Sequence, residues 1–162
     1  MSSTDSDTRV VTTVAEMQEL IGQEIGLTDW LEITQERVNL FADATGDHQY
    51  IHVDPERAKQ TFFGGTVAHG YLTLSLIPYL GSLRVSGVKF ELGGRMGVNY
   101  GLNKVRFISP VHVGKRIRMR TTLLAVEAIG DRAVQTTSQQ TIEIEDEEKP
   151  ACIAETIGRT YF

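Results

Sequence analysis

Apolar residues recur at helical intervals through the first half of the chain and at strand intervals through the second. In VAEMQELI, residues Val14, Met17, Leu20 and Ile21 fall on one helical face. Gly26 to Ile33 (GLTDWLEI) reads as a strand. Thr34 then sits as an N-cap for QERVNLFADAT, where Val38, Phe41 and Ala42 repeat at helical spacing, and Gly46 should end that helix. Asp54-Pro55-Glu56 is another helix start: a capping acid, a proline where its missing N–H costs nothing, and an acid at the positive dipole end. FFGG cuts that helix short. Gly70 to Leu83 (GYLTLSLIPYLGSL) is the most apolar segment. Its apolar residues surround the axis, which predicts a helix buried on most sides, and Pro78 should kink or shorten it.

Four strand-length runs follow: Met96 to Phe107, Lys115 to Ala128, Ala133 to Ile144 and Ala151 to Phe162, separated by SPVHVG, IGD and EDEEKP. In the second run Ile117, Met119, Thr121 and Leu123 share one face, with Arg116, Arg118 and Arg120 on the other. Gly130-Asp131 suits a tight hairpin. Helices first and an antiparallel meander afterwards predict an α+β fold, in which one apolar helix needs a sheet to wrap it. Residues 1–12, acidic and rich in Ser and Thr, read as a disordered tail, which leaves one domain over residues 13–162.

A length of 162 residues suits a single domain with a full core. A net charge of −5 without a Lys/Arg run argues against nucleic acid as a partner. A single cysteine, Cys152 in ACIA, excludes an intrachain disulfide and a cysteine-based zinc site, and its apolar neighbours mark it as a packed thiol. MSSTDSDTRV lacks the basic start and apolar centre of a secretion signal, and no apolar run reaches the ~20 residues of a membrane span. The expected location is the cytoplasm.

The candidate chemistry lies in DATGDHQYIHVD, Asp43 to Asp54. Asp47 and His52 are five residues apart. On a helix that spacing turns them ~140° from one another, and on a strand it puts them on opposite faces. They can cooperate only if HQYI folds back as a loop. A histidine titrates near neutrality, and a nearby carboxylate can share its water. Such a pair could activate one water and return a proton. The spacing equally permits a solvated loop in which Asp47 caps the preceding turn. His48 and His52 stand at the i, i+4 spacing of a helical metal pair. A loop here counts against that arrangement, no HExxH pattern is present, and no metal is expected.

A second feature is Val67-Ala68-His69-Gly70, which leads into the apolar helix. The first N–H groups of a helix lack internal partners and carry the positive dipole end. A glycine there lets a ligand approach the main chain, which suits an oxygen gaining negative charge. The same glycine could simply ease the turn into the helix, and His69 could be a packed, hydrogen-bonded residue.

Taken together, DHQYIHVDPERA and VAHGYLTLSL resemble the MaoC-like hydratase branch of the hot-dog fold over roughly residues 27–162. The (R)-specific enoyl-CoA hydratases of that family carry Asp-x-Asn-x-x-His followed by His-Gly at the start of the central helix. In detail the chain is most similar to NodN-like members, which read DHQ-x-IH. The resemblance implies a long helix wrapped by a curved antiparallel sheet, a homodimer with active sites near the interface, and reversible hydration of trans-2-enoyl thioesters. It implies Asp47 and His52 as the catalytic acid and histidine, and the Gly70 N–H as the oxyanion donor. Val67, Ala68, His69, Gln49, Tyr50 and Asn103 are the implied substrate-binding residues. No metal or redox cofactor is implied, since the pantetheine thioester is part of the substrate. Gln49 stands where asparagine is usual and Tyr50 where proline is common, which alters loop rigidity and pocket shape. A hot-dog thioesterase and a non-catalytic thioester-binding protein are the competing readings. On charge alone Arg84, Lys89, Lys104 and Arg106 are candidates for ligand phosphates, and Asn99 could line the pocket with Asn103.

Overall fold

A computed structural model describes residues 8–83 and 85–162. In chain order the elements are β1 (Arg9–Val11), α1 (Val14–Gln18), β2 (Glu24–Thr28), β3 (Leu31–Glu32), α2 (Gln35–Thr45), α3 (Tyr50–Val53) and α4 (Pro55–Ala58). There follow α5 (Gly70–Ser75), α6 (Ile77–Ser82), β4 (Val85–Phe90), β5 (Met96–Phe107), β6 (Arg116–Ile129), β7 (Ala133–Ile144) and β8 (Cys152–Tyr161). The sheet order is β1-β4-β2-β6-β7-β8-β5, with β3 also on β6. Among the described residues β1 and β4 pair in parallel and the other pairings are antiparallel. Register shifts in β2–β6, β5–β8 and β6–β7 bend the strands, as extra unpaired residues do.

The expected caps form. The Thr34 hydroxyl accepts from the Arg37 amide, Gly46 takes a left-handed φ of 80° behind α2, and the Asp54 carboxylate caps α4 ahead of Pro55. The alternation in β6 also holds. Ile117, Met119 and Leu123 are buried, while Arg116, Arg118 and Arg120 pair across strands with Glu145, Glu143 and Glu24 on the other face.

Four expectations need correction. Part of the expected disordered tail is strand: β1 pairs with Val88–Phe90 and buries Val11, because consecutive β-branched residues pack well on a sheet. Residues 1–7 lie outside the described residues, as does Arg84. The strand expected over residues 26–33 is two strands, interrupted at Asp29 and Trp30. β4 is an added strand; its Gly87 has a φ of 123° and approaches the Ile25 carbonyl so closely that a Cβ would sit 2.7 Å from the oxygen. The central helix is two segments broken at Leu76, ahead of Pro78, and it is buried on one face only. Leu72, Leu76 and Leu80 line the core with Ile117, Met119 and Ala154, whereas Tyr71 and Tyr79 are exposed.

Core and edge thus divide the apolar residues. Cys152 lies fully inside the main cluster, where burial pushes its thiol up to about 11 and keeps it unreactive at neutral pH. β5 is the last strand on its side of the sheet, and Met96, Tyr100, Leu102 and Phe107 on it are exposed.

Candidate active site

Asp47 and His52 meet because the chain between them is neither a helix nor a strand throughout. The left-handed Gly46 turns the chain out of α2, residues 46–49 are irregular, and α3 is a single helical turn carrying His52. HQYI is therefore a bend followed by a helical turn rather than a plain loop. Two further contacts hold α3. The Ile51 carbonyl accepts from the Val67 amide at 3.0 Å, and Gln35 Nε2 donates to the His52 carbonyl at 2.7 Å.

Residues 66–69 bring the second half of the site. The Ala68 amide donates to the Val111 carbonyl at 2.8 Å and the Val113 amide to Thr66 at 3.0 Å, which lays this segment along residues 111–113. His69 then becomes the residue before α5, with Gly70 as its first helical residue. Being first, the Gly70 amide has no carbonyl within the helix to bond.

One side-chain donor atom from each of Asp47, His52 and His69 lies within 4.8 Å of the other two. His52 Nδ1 is 2.6 Å from the Val67 carbonyl oxygen. A carbonyl only accepts, so Nδ1 carries the proton and Nε2 keeps its lone pair. Burial pushes His52 below the ordinary histidine range, and neighbouring His69 adds to this, against the opposing pull of the Val67 carbonyl and Asp47. The result is a neutral imidazole with one basic nitrogen, beside a carboxylate whose side chain is 54% exposed. Asp47 and His52 at this spacing can share one water, and the three groups could also ligate a divalent ion.

His48 takes no part. Its Nε2 lies 2.8 Å from Asp43, whose carboxylate holds it above the ordinary histidine range at the surface. That pairing removes the His48–His52 metal arrangement.

The other site residues divide. Val67 supplies the carbonyl for His52, and Ala68 the backbone link to Val111. The Gln49 amide donates to Asp47 Oδ1 at 3.3 Å, and the Tyr50 ring packs under the Arg57 guanidinium 4.2 Å from its centroid. Asn103 donates to Glu155 at 2.6 Å on exposed sheet, at the β5–β8 register shift between Leu102 and Lys104. Asn99 lines a groove with Leu74, Pro78 and Tyr100. Lys89 pairs with Glu91, Arg106 donates to the Val105 carbonyl, and Lys104 is exposed.

Gly70 has a tighter reason for lacking a side chain than ligand access. A Cβ there would lie 3.0 Å from the Phe107 ring, so Phe107 occupies the space on that side. The residue that sequence reasoning missed is Gln35. Its Oε1 accepts from Thr66 at 2.6 Å while its Nε2 holds His52, so one side chain ties α2 to both halves of the site. A glutamine opening a helix looks like ordinary surface, and no local pattern marks it.

This geometry can be set beside known proteins. The MaoC-like domain family matches residues 16–145. The chain belongs to that family. The chain is 52% identical over 153 residues to 3-hydroxyacyl-thioester dehydratase Z of Mycobacterium tuberculosis, covering 93% of this chain and 97% of that one. It is 47% identical to Nodulation protein N of Rhizobium leguminosarum bv. viciae over 150 residues, with 92% and 91% covered. Among solved structures, the (R)-hydratase from A. caviae superposes with a TM-score of 0.67 at 24% identity, covering 85% of this chain and 94% of that one. At that identity the likeness shows the fold, and the fold of this MaoC-like protein is the hot dog.

Proposed function

We propose that this MaoC-like protein is a hydro-lyase that reversibly hydrates trans-2-enoyl thioesters to (R)-3-hydroxyacyl thioesters. The observation that carries the reading is the convergence of Asp47 and a neutral His52 beside the unbonded first amide of α5. The kinship with a 3-hydroxyacyl-thioester dehydratase at 52% identity supports the same chemistry.

In the hydration direction the thioester carbonyl rests on the Gly70 N–H. His52 Nε2 takes a proton as the water oxygen bonds to C3, and the C2–C3 π electrons move onto the thioester as an enolate. The Gly70 amide stabilises that oxyanion, and the enolate collapses as C2 receives a proton from the Asp47–His52 pair. One water is consumed and no electrons leave the substrate. Dehydration is the reverse.

Crotonyl-CoA tests this reading. Loss of enoyl absorbance without free thiol is expected; thiol release would make the protein a thioesterase, and no reaction with C4 to C12 enoyl-CoA would leave only a binder. The reaction draws on no metal or redox cofactor, so dialysis against EDTA should leave turnover unchanged.

The pH dependence follows from His52. Hydration needs its neutral form, so kcat/KM should fall on the acid side with a midpoint below the ~6.5 of an ordinary histidine. Folding has the same sign. A lowered folded-state value means that the contribution of His52 to stability is complete above ~6.5 and is lost as pH falls through the folded value. A midpoint above 7 in the pH–rate profile would contradict a base lowered by burial.

The working form is proposed to be a homodimer, the partner covering the β5 edge and its exposed apolar residues. Light scattering should return twice the mass of one chain. No helix among the described residues is long and apolar enough to cross a membrane.

A further inference from the structure

The mechanism above leaves one buried titratable side chain of the cluster without a role. His69 is 2% exposed. Its ring stacks on His52 with centroids 3.8 Å apart and planes 26° apart, and Phe41 lies 5.0 Å away at a tilt. Its Nε2 is 2.9 Å from the backbone carbonyl oxygen of Asp47, so it donates there. The Asp47 carboxylate is farther off, at 4.0 Å. Nδ1 is buried and has no hydrogen-bond partner among the described residues.

An unpaired buried ring nitrogen is uncommon, because burial without a partner is unfavourable. A histidine placed only for packing would turn or be replaced by an apolar ring. The one hydrogen bond His69 makes from its ring goes to the residue that carries the catalytic carboxylate.

That residue needs outside support. Asp47 lies in the irregular segment between Gly46 and α3, and the contact from its own segment is the Gln49 amide at 3.3 Å, a marginal length. His52, in contrast, is fixed by Val67 and, through its backbone, by Gln35. The carboxylate and the base therefore belong to separately supported segments. His69 touches both.

We infer that His69 is a positioning residue, which sets the distance between the Asp47 carboxylate and the His52 base by holding the Asp47 backbone through Nε2 while bearing the His52 ring on its face. The inference rests on the hydratase reading, in which these two side chains share one water. It acts through Asp47 and not on the thioester, so its loss lowers kcat and leaves KM within about twofold.

Two replacements separate the hydrogen bond from the ring. His69→Gln keeps an N–H donor at a similar reach and loses the aromatic face; His69→Phe keeps the face and loses the donor. On crotonyl-CoA, His69→Gln should retain kcat within about tenfold, and His69→Phe should lose on the order of 100-fold. The decisive comparison uses the Asp47→Asn background. There, adding His69→Phe should cost less than threefold, since removing a support matters little once the supported group is gone. Circular dichroism and thermal melts on each variant identify loss of fold.

If His69→Phe matches the wild type, or outperforms His69→Gln, the ring serves packing and the inference is overturned. A full multiplicative loss for His69→Phe in the Asp47→Asn background also overturns it. Should His69→Phe fail to fold, His69→Gln carries the test in the same two backgrounds: a kcat loss beyond 100-fold in it excludes positioning by the hydrogen bond. Failure of the hydratase reading looks different, because wild-type protein would then hydrate no enoyl-CoA from C4 to C12.

Discussion

Asp47→Asn and His52→Ala are each expected to lower kcat by ~100- to 10,000-fold, the range for losing a positioned acid or base. The double variant should be little worse than the more damaged single one. Groups that act on one molecule as a unit are strongly non-additive, since the second loss removes nothing that still functions. The expectation follows from the proposed shared water, since both side chains reach the same small volume within 4.8 Å. Asp47→Asn should fold normally: its side chain is 54% exposed and packs against no core. His52 is nearly buried and bonded to Val67, so His52→Ala should also lose some stability, visible in a melt separately from kcat. His48→Ala is the internal control. Its ring pairs with Asp43 outside the cluster, so the variant should keep nearly full turnover. Rates measured by loss of enoyl absorbance at saturating crotonyl-CoA decide the matter, and a purely multiplicative double variant would mean two independent roles.

Gly70→Pro is the second large effect, with an expected loss of ~100- to 1,000-fold in kcat from removing one oxyanion donor. Proline is the only residue that deletes the amide proton, and the local backbone admits it. Gly70 is the first residue of α5, where proline is favoured, and His69 before it has φ −59° and ψ 137°, the extended conformation that a following proline demands. The complication is steric, because any Cβ at residue 70 meets the Phe107 ring at 3.0 Å. Phe107 is 46% exposed and can turn aside. Gly70→Ala is therefore the reference: it adds the same Cβ and keeps the N–H. The expected result is a modest loss for alanine and a large further loss for proline. Equal turnover in the two would place the oxyanion donor elsewhere.

Local patterns carried much of this fold, and the reasons they stopped are physical. β5 and β7 lie at their expected bounds because turn-forming segments, SPVHVG after β5 and IGD and EDEEKP around β7, mark where each run stops. β4 escaped notice because Gly87 breaks its side-chain pattern where the strand presses on Ile25. The central helix was misjudged because Tyr71 and Tyr79 count as apolar by type yet lie at the surface of the single chain. In the site, the spacing of Asp47 and His52 showed only that a bend was needed, and the resemblance of the two motifs to a family selected the catalytic reading. What lay beyond reach were contacts between distant segments: Gln35 with His52 and Thr66, 17 and 31 residues away, and His69 with Asp47, 22 residues away. No local periodicity records such pairs. Asn103 lies on the strand expected for it, and there its amide donates across the strands to Glu155, a contact 52 residues away.

In the proposed reaction one water is delivered to C3 of an enoyl thioester. Mass spectrometry of the products of crotonyl-CoA in oxygen-18 water tests it most directly. The expected product is (R)-3-hydroxybutyryl-CoA with a single heavy oxygen on C3, the thioester intact and its carbonyl unlabelled. Heavy oxygen in a free carboxylate together with released CoA, or a C3 hydroxyl of S configuration, would contradict it.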